Sequence, residues 1–114
     1  MKIIFTGGSG RFGKKFKDQT NIKNILYPSS KALNIINYNS VKKYFLNNKA
    51  DIVIHCAALS RPMSLHNTNI EMSIDVNIIG TANIVKICKK YGVKLIYFST
   101  CYVYPCTKGN YKES

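Results

Sequence analysis

The stretch Thr6-Gly7-Gly8-Ser9-Gly10-Arg11-Phe12-Gly13 decides the fold class of this chain. It follows a short apolar run, Lys2 to Thr6, and opens a segment with helical apolar spacing, which predicts a strand, a glycine turn and a helix. Gly7, Gly10 and Gly13 have the spacing GxxGxxG. Glycines in such a turn let the backbone approach a pyrophosphate closely, and the helix N-terminus then faces the negative charge. The stretch therefore predicts a dinucleotide-binding turn.

A second motif overlaps this turn, because Gly8 to Lys14 also fits the GxxxxGK pattern of a nucleoside-triphosphate loop. Such a loop needs Ser or Thr after the lysine to hold magnesium, but Lys15 stands there. It also needs an Asp at the end of a later strand, where this chain has His55-Cys56. Dinucleotide binding is favoured, and a glycine turn that binds no ligand is the remaining alternative.

Four short apolar runs predict strands: Lys2 to Thr6, Asn24 to Tyr27, Asp51 to Cys56 and Val93 to Phe98. The last two runs do not alternate with polar residues, which indicates parallel strands buried on both faces. Parallel strands require helical crossovers, and the chain offers helical spacing between each pair of runs.

Three helices are predicted between these strands. The first opens at the glycine turn, and the second is short and begins at Asn39 or Ser40, either of which can cap it. The third runs from about Thr68 to Tyr91, with a period of 3.6 in Ile70, Ile74, Ile78, Ala82 and Val85. The order β-α-β-α-β-α-β predicts an α/β fold with a Rossmann-type, doubly wound parallel sheet, and residues 1–114 form one NAD(P)-binding domain.

The residues after the second strand bear on the choice of dinucleotide. A carboxylate there would bind the ribose 2′-OH of NAD, but this chain has Pro28-Ser29-Ser30-Lys31, with Arg11 in the nearby turn. NADP is therefore preferred, with NAD as the alternative. Ala57 and Ala58, after the third strand, are expected at the same sheet edge.

The chain has 17 Lys and Arg against 5 Asp and Glu, a net charge of +12. Scattered lysines with only two arginines favour a solvated surface over a nucleic-acid site. The four cysteines form no CxxC pair, so they are expected to be reduced, without a metal site, in a cytoplasmic protein. The sequence shows neither a signal peptide nor a run long enough to cross a membrane.

With these motifs in order, the chain resembles the N-terminal part of an extended short-chain dehydrogenase/reductase, in particular the dTDP-4-dehydrorhamnose reductase branch of the sugar-nucleotide reductases and epimerases. Five segments match the motifs of this group in register: Thr6 to Gly13, Ser29 to Ile35, Ala50 to Ala58, Val76 to Thr81 and Phe98 to Tyr104. Asn34 and Cys101 stand where the branch has Asp.

The resemblance implies roles for two residues. Thr100 takes the position of the hydroxyl that hydrogen-bonds the substrate carbonyl, and Asn77 that of the Asn that supports the catalytic lysine through water. The tyrosine and lysine of the family's YxxxK lie beyond the segment that ends this sequence, so we expect an incomplete domain without turnover of its own. Tyr104 and Lys108 have that spacing in the wrong place, and Pro105 opposes a helix there.

The resemblance implies that the chain is the cofactor-binding portion of an NAD(P)-dependent reductase or epimerase for a nucleotide-linked sugar. A non-catalytic NAD(P)-binding module is the main alternative, and a basic nucleic-acid binder is a third. Because the fourth strand would leave an apolar edge open, self-association of the chain is also expected.

Overall fold

A computed structural model of the chain describes residues 1–99. Its strands are β1 (Ile3–Thr6), β2 (Ile25–Leu26), β3 (Ile52–His55) and β4 (Lys94–Tyr97). Its helices are α1 (Arg11–Gln19), α2 (Tyr38–Asn48), α3 (Ser64–Thr68), α4 (Ile70–Ile74) and α5 (Thr81–Tyr91), with a π-helical segment, Asp75–Gly80, between the last two. The strands form one parallel sheet in the order β2-β1-β3-β4, which confirms the predicted α/β class.

Both faces of the sheet are covered, since alternate residues of β1 and β3 are buried on opposite sides. Ile4 and Val53 pack with residues of α2 and α5 on one face. Ile3, Phe5 and Ile54 form a smaller core on the other, where α1 contributes an aromatic residue. Strands buried on both faces explain the apolar runs without alternation in the sequence.

The cap of α2 differs from the prediction. The helix begins at Tyr38, and the Asn37 side chain accepts a hydrogen bond from the Ser40 amide at 2.9 Å. The Ser40 hydroxyl is used elsewhere, because it accepts from the Asn34 amide at 3.1 Å. The prediction that Asn39 or Ser40 caps this helix was therefore wrong by two to three residues.

The predicted third helix is divided, and the residues whose period predicted it do not form its buried face. Ile70 and Ile78 are 59% and 61% exposed. The buried residues of α5 are Asn83, Ile84, Ile87 and Cys88. A π-helical segment accommodates an extra residue per turn, so a period counted through it does not follow one face.

The fourth strand also departs from the prediction, since it is not buried on both faces. Leu95 packs against the larger core, but Ile96, Tyr97 and Phe98 are exposed. Within residues 1–99, β4 is an edge of the sheet and has a strand neighbour on one side. None of the helices in this part of the chain combines the length and the apolar character needed to cross a membrane.

Candidate functional site

The glycine turn lies at the carboxyl edge of the sheet and packs tightly against its surroundings. Gly7 adopts a φ of +80°, a conformation that L side chains rarely take. A Cβ on Gly13 would lie 2.5 Å from the Gly7 carbonyl oxygen and 2.6 Å from Cα of Gly8. Glycine at position 13 therefore allows α1 to begin directly against the turn.

The N-terminus of α1 has the character of an anion site. Its cap, Gly10, has no side chain to accept from the first-turn amides, and its own amide donates to the Gly7 carbonyl at 3.0 Å. The first turn carries Arg11 and no acidic residue. Unpaired amides and the positive end of the helix dipole favour a phosphate group at this position.

Two cavities open at the same edge and share one wall. The smaller, of about 360 Å³, is lined by the glycine turn and by residues after β2, including Pro28, Ser30 and Leu33. The larger, of about 510 Å³, is lined by residues of β3, β4 and the segments that follow them, including Asn77. Cys56, Ala57 and Ala58 line both. The segment after β3 therefore lies between the two cavities, which together are called the groove.

A buried polar network lies beneath this shared wall. The imidazole of His55, which is fully buried, lies 2.6 Å (Nδ1) from the Thr6 hydroxyl and 3.1 Å (Nε2) from that of Thr81. The Tyr97 ring stacks on it with 5.8 Å between centroids. Burial lowers the pKa of His55 to about 4, so the imidazole is neutral at neutral pH.

Cys56, the first residue after β3, does not carry a nucleophilic thiol in this setting. Burial raises the pKa of the Cys56 thiol to about 11, which keeps the thiol protonated. Among residues 1–99, no cluster of three His, Cys, Asp or Glu side chains has the arrangement to hold a metal ion.

Asn77 holds the loop after β3 in place. Its Oδ1 accepts from the Leu59 amide at 2.8 Å, and its Nδ2 donates to the Leu59 carbonyl at 2.9 Å. The residue lies in the π-helical segment and lines the larger cavity. These contacts place it at the candidate site as a support for the loop, a role that the sequence did not predict.

Comparison with known proteins decides the family. All of residues 1–114 match the model of the family described as the RmlD substrate binding domain. The chain belongs to this family. Its curated relatives include a dTDP-4-dehydrorhamnose reductase from Mycolicibacterium smegmatis, 30% identical over 91% of the chain and 32% of the relative. Another is methionine adenosyltransferase 2 subunit beta from Xenopus laevis, 29% identical over 98% of the chain and 36% of the relative. The chain thus spans about a third of the length of these relatives.

Solved structures agree with this membership of the RmlD substrate binding domain family. A dTDP-4-dehydrorhamnose reductase from Bacillus anthracis, in complex with NADP, superposes with a TM-score of 0.83 at 29% identity, covering 95% of this chain and 40% of that one. The corresponding protein from Clostridium acetobutylicum gives a TM-score of 0.84 at 28% identity, with 96% and 40% covered. The Rossmann-like fold predicted from the sequence is confirmed.

The structure brings most predicted site residues of this family member to one edge. Gly7, Gly10 and Ser30 line the smaller cavity, Phe12 and Asn77 the larger, and Ala57 and Ala58 both. Four predicted residues lie outside both linings: Gly13 is buried against the turn, Arg11 and Lys31 are exposed, and the Ser29 hydroxyl accepts from the Ala32 amide at 3.3 Å. Thr100, Cys101, Tyr104 and Lys108 lie outside the described residues.

Sequence reasoning assigned no particular role to two histidines that line the larger cavity. His66, in α3, has its Nδ1 2.7 Å from the Ser73 hydroxyl. His55 is the center of the buried network. A signal for it was present, because a titratable residue at the end of an otherwise apolar strand must find polar partners when it is buried.

Proposed function

We propose that this chain is the cofactor-binding portion of an NAD(P)-dependent reductase that acts on a nucleotide-linked sugar. One observation carries the proposal: the glycine turn at α1 and the groove divided by Ala57 and Ala58 lie together at the carboxyl edge of a parallel sheet. Ligands of open α/β sheets bind at this edge. Support comes from relatives that are sugar-nucleotide reductases and from a structural neighbour in complex with NADP.

Successive segments of this chain would contact successive parts of a dinucleotide. Gly7, Gly10 and Gly13 form a turn that a Cβ would fill, so the backbone and the first amides of α1 would hold the pyrophosphate. Ser30 and its neighbours would face the adenosine half, and Ala57 and Ala58 would lie along the middle of the cofactor. When bound, NADPH supplies a hydride for a sugar carbonyl.

The larger cavity would take the nicotinamide end and the sugar. Its walls combine the apolar side chains Phe12, Met63 and Phe98 with few polar groups, which suits a reaction that must exclude water. Asn77 would keep the wall at Leu59 fixed. Thr100 comes three residues after the end of β4 in the sequence, and by family resemblance its hydroxyl would donate to the substrate carbonyl.

We further propose that NADP is preferred over NAD. The segment that follows β2 holds two hydroxyls and the exposed Lys31, and no carboxylate that would repel a 2′-phosphate. Arg11 follows Gly10 and Lys31 follows Ser30, and both preceding residues line the smaller cavity, so each cation would reach a phosphate at its rim. The neighbour from Bacillus anthracis in complex with NADP supports binding of NADP.

A non-catalytic NAD(P)-binding module is the second candidate. One observation favours it: 98% of this chain matches 36% of a protein named as the beta subunit of an adenosyltransferase. A module of this kind would bind the dinucleotide and leave chemistry to another chain.

Calorimetry with NADP and NAD tests the proposal. We expect the folded chain to bind NADP more tightly than NAD and to oxidise no NADPH by itself. A folded chain that binds neither dinucleotide contradicts both candidates. Expression together with any coding sequence that follows Ser114 separates them: NADPH oxidation with a nucleotide-linked ketosugar supports the reductase, and binding without oxidation supports the module.

A further inference from the structure

Three strands place one residue each in a row across the carboxyl edge of the sheet. Thr6 of β1 pairs in register with His55 of β3, which pairs in turn with Tyr97 of β4. His55 is fully buried and Thr6 is 2% exposed. Hydrogen-bonding groups so deeply buried need defined partners, since water does not reach them.

The hydrogen bonds around Thr6 fix the direction of the network. The Ala57 amide lies 3.3 Å from the Thr6 hydroxyl and is a donor only, so the hydroxyl oxygen accepts from it. The hydroxyl hydrogen then needs an acceptor, and among the described residues that acceptor is Nδ1 of His55, at 2.6 Å. Nδ1 must therefore carry a lone pair.

The other ring nitrogen follows from this assignment. A neutral imidazole with a lone pair on Nδ1 carries its hydrogen on Nε2. Nε2 lies 3.1 Å from the Thr81 hydroxyl, so it donates to that oxygen at the first residue of α5. The chain of donors runs from His55 to Thr81 on one side, and from Ala57 through Thr6 to His55 on the other.

We propose that His55, as the neutral Nε2–H tautomer, is a positioning residue for dinucleotide binding. It orients the Thr6 hydroxyl, which holds the Ala57 amide in the wall that both cavities share. Asn77 holds the same loop two residues later, at Leu59. That the ligand is a dinucleotide rests on the proposed function, whereas the assignment of the His55 tautomer does not.

The opposite tautomer or an imidazolium would break this arrangement. Either form points an N–H at Thr6, whose oxygen would then receive two donors while its own hydrogen lost its acceptor. A buried hydroxyl hydrogen without an acceptor is unfavourable, and turning the Thr6 side chain toward another acceptor would move its oxygen away from the Ala57 amide. Loop position and ring tautomer are therefore coupled.

A long-range ¹H–¹⁵N spectrum of the chain at pH 7 tests the tautomer directly. We expect the chemical shift of an unprotonated nitrogen at Nδ1 of His55 and that of a protonated nitrogen at Nε2. The reverse pattern, or protonation at both positions, overturns the inference without reference to any ligand. This readout uses the parent chain, so it does not depend on whether a variant folds.

Two variants test the positioning role. His55→Asn places an amide oxygen where Nδ1 lies, whereas His55→Gln reaches toward Thr81 and leaves Thr6 without its acceptor. We expect His55→Asn to keep the NADP dissociation constant within about threefold, and His55→Gln to raise it about tenfold, the effect of one lost buried hydrogen bond. Thr20→Ala, which removes a hydroxyl at the C-terminal end of α1 outside both cavity linings, is the control and should resemble the parent.

The outcomes separate this inference from the function on which it rests. A parent chain that binds neither NADP nor NAD overturns the proposed function and the positioning role with it. A parent that binds NADP, with equal affinities in folded His55→Asn and His55→Gln chains, overturns the positioning role alone.

Discussion

The side-chain amide of Asn77 pairs with the backbone of Leu59 through two hydrogen bonds, of 2.8 and 2.9 Å. The two residues are 18 positions apart in sequence, and one lies in the π-helical segment while the other lies in the loop after β3. An amide used in this way satisfies a donor and an acceptor of a loop that has no strand partner there. Beside the larger cavity, one side chain therefore fixes the loop at Leu59, in addition to the Thr6 hydroxyl that holds it at Ala57.

Replacing Asn77 with Ala should loosen this loop more than it weakens the fold. Leu59 would lose both partners, and loss of part-buried hydrogen bonds lowers the free energy of unfolding by about 1–3 kcal/mol. Urea unfolding measures that loss, and hydrogen exchange should show faster exchange at the Leu59 amide. Asn67→Ala, at an exposed position in α3, is the control. Equal destabilisation by both variants would contradict the special role of Asn77.

Acidification should destabilise the chain through His55. Its pKa is lowered by burial from 6.5 to about 4 in the folded state, so the unfolded chain binds the proton more tightly. The contribution of neutral His55 to the free energy of unfolding is fully present above pH 6.5, and it is lost as the pH falls from there to about 4. At 1.36 kcal/mol per pKa unit, the loss amounts to roughly 3 kcal/mol.

Urea unfolding at a series of pH values between 7 and about 4 measures this effect. In His55→Asn the acid-induced decrease in the free energy of unfolding that is due to the imidazole should disappear, because an amide does not titrate in this range. The His66→Asn chain should still show that decrease. Identical pH profiles for the parent and His55→Asn would show that other groups account for the acid sensitivity.

Gly10→Ala should weaken NADP binding with little effect on folding. A Cβ at Gly10 meets a single atom, the Gly7 carbonyl oxygen, at 3.2 Å, whereas a Cβ at Gly7 or Gly13 would lie within 2.7 Å of backbone. Gly10 is therefore the safest position at which to fill the turn. We expect about a tenfold loss of affinity by calorimetry, the effect of about 1.4 kcal/mol.

Gly92→Asn provides the matched glycine control for this experiment. Gly92 ends α5 with a φ of +65°, which Asn tolerates better than other side chains, and it lies at the opposite edge of the sheet. The Gly92→Asn chain should bind NADP with the same affinity as the parent. Binding unchanged in a folded Gly10→Ala chain would place the pyrophosphate elsewhere.

Lys31→Ala should narrow the difference between NADP and NAD. The exposed ammonium follows Ser30 at the rim of the smaller cavity, where it would attract a 2′-phosphate that NAD lacks. Screening limits such an exposed pair to about 1 kcal/mol, so we expect up to about fivefold weaker NADP binding and unchanged NAD binding at low salt. Lys23→Ala, at the opposite end of β2, should change neither affinity.

The exposed face of β4 should promote self-association. Ile96 and Phe98 are 41% and 49% exposed, and the Phe98 ring lies 4.8 Å from that of Phe12, so an apolar patch adjoins an edge strand. Light scattering should show that the chain associates and that Ile96→Lys reduces this. Leu46→Lys, at an equally exposed site on α2, should not. A parent chain that stays monomeric at high concentration would contradict this expectation.

Local patterns were enough to predict the sheet and the glycine turn, because each depends on neighbours in sequence. The run from Ile3 to Thr6 and the spacing of Gly7, Gly10 and Gly13 have few alternative structures. The bond between Asn77 and Leu59 could not be predicted, since it depends on how an irregular loop returns to a helix. The helical period also wrongly predicted that Ile70 and Ile78 are buried, because one extra residue in a turn cannot be recognised from the composition.

That extra residue makes the length of the chain between α4 and α5 a structural parameter in its own right. Deleting one residue from Asp75–Gly80 would allow an uninterrupted α-helix to run from Ile70 to Tyr91. Because the wider turn is what accommodates the extra residue, α4 and α5 would keep nearly the same relative rotation, and the change would fall on the segment between them. Asn77 lies within that segment, so its side chain would be re-aimed relative to Leu59 while every side chain of the core remained chemically the same. Substitutions in this segment can weaken the hydrogen bonds between Asn77 and Leu59 to different degrees, whereas a change in the length of the segment removes them together.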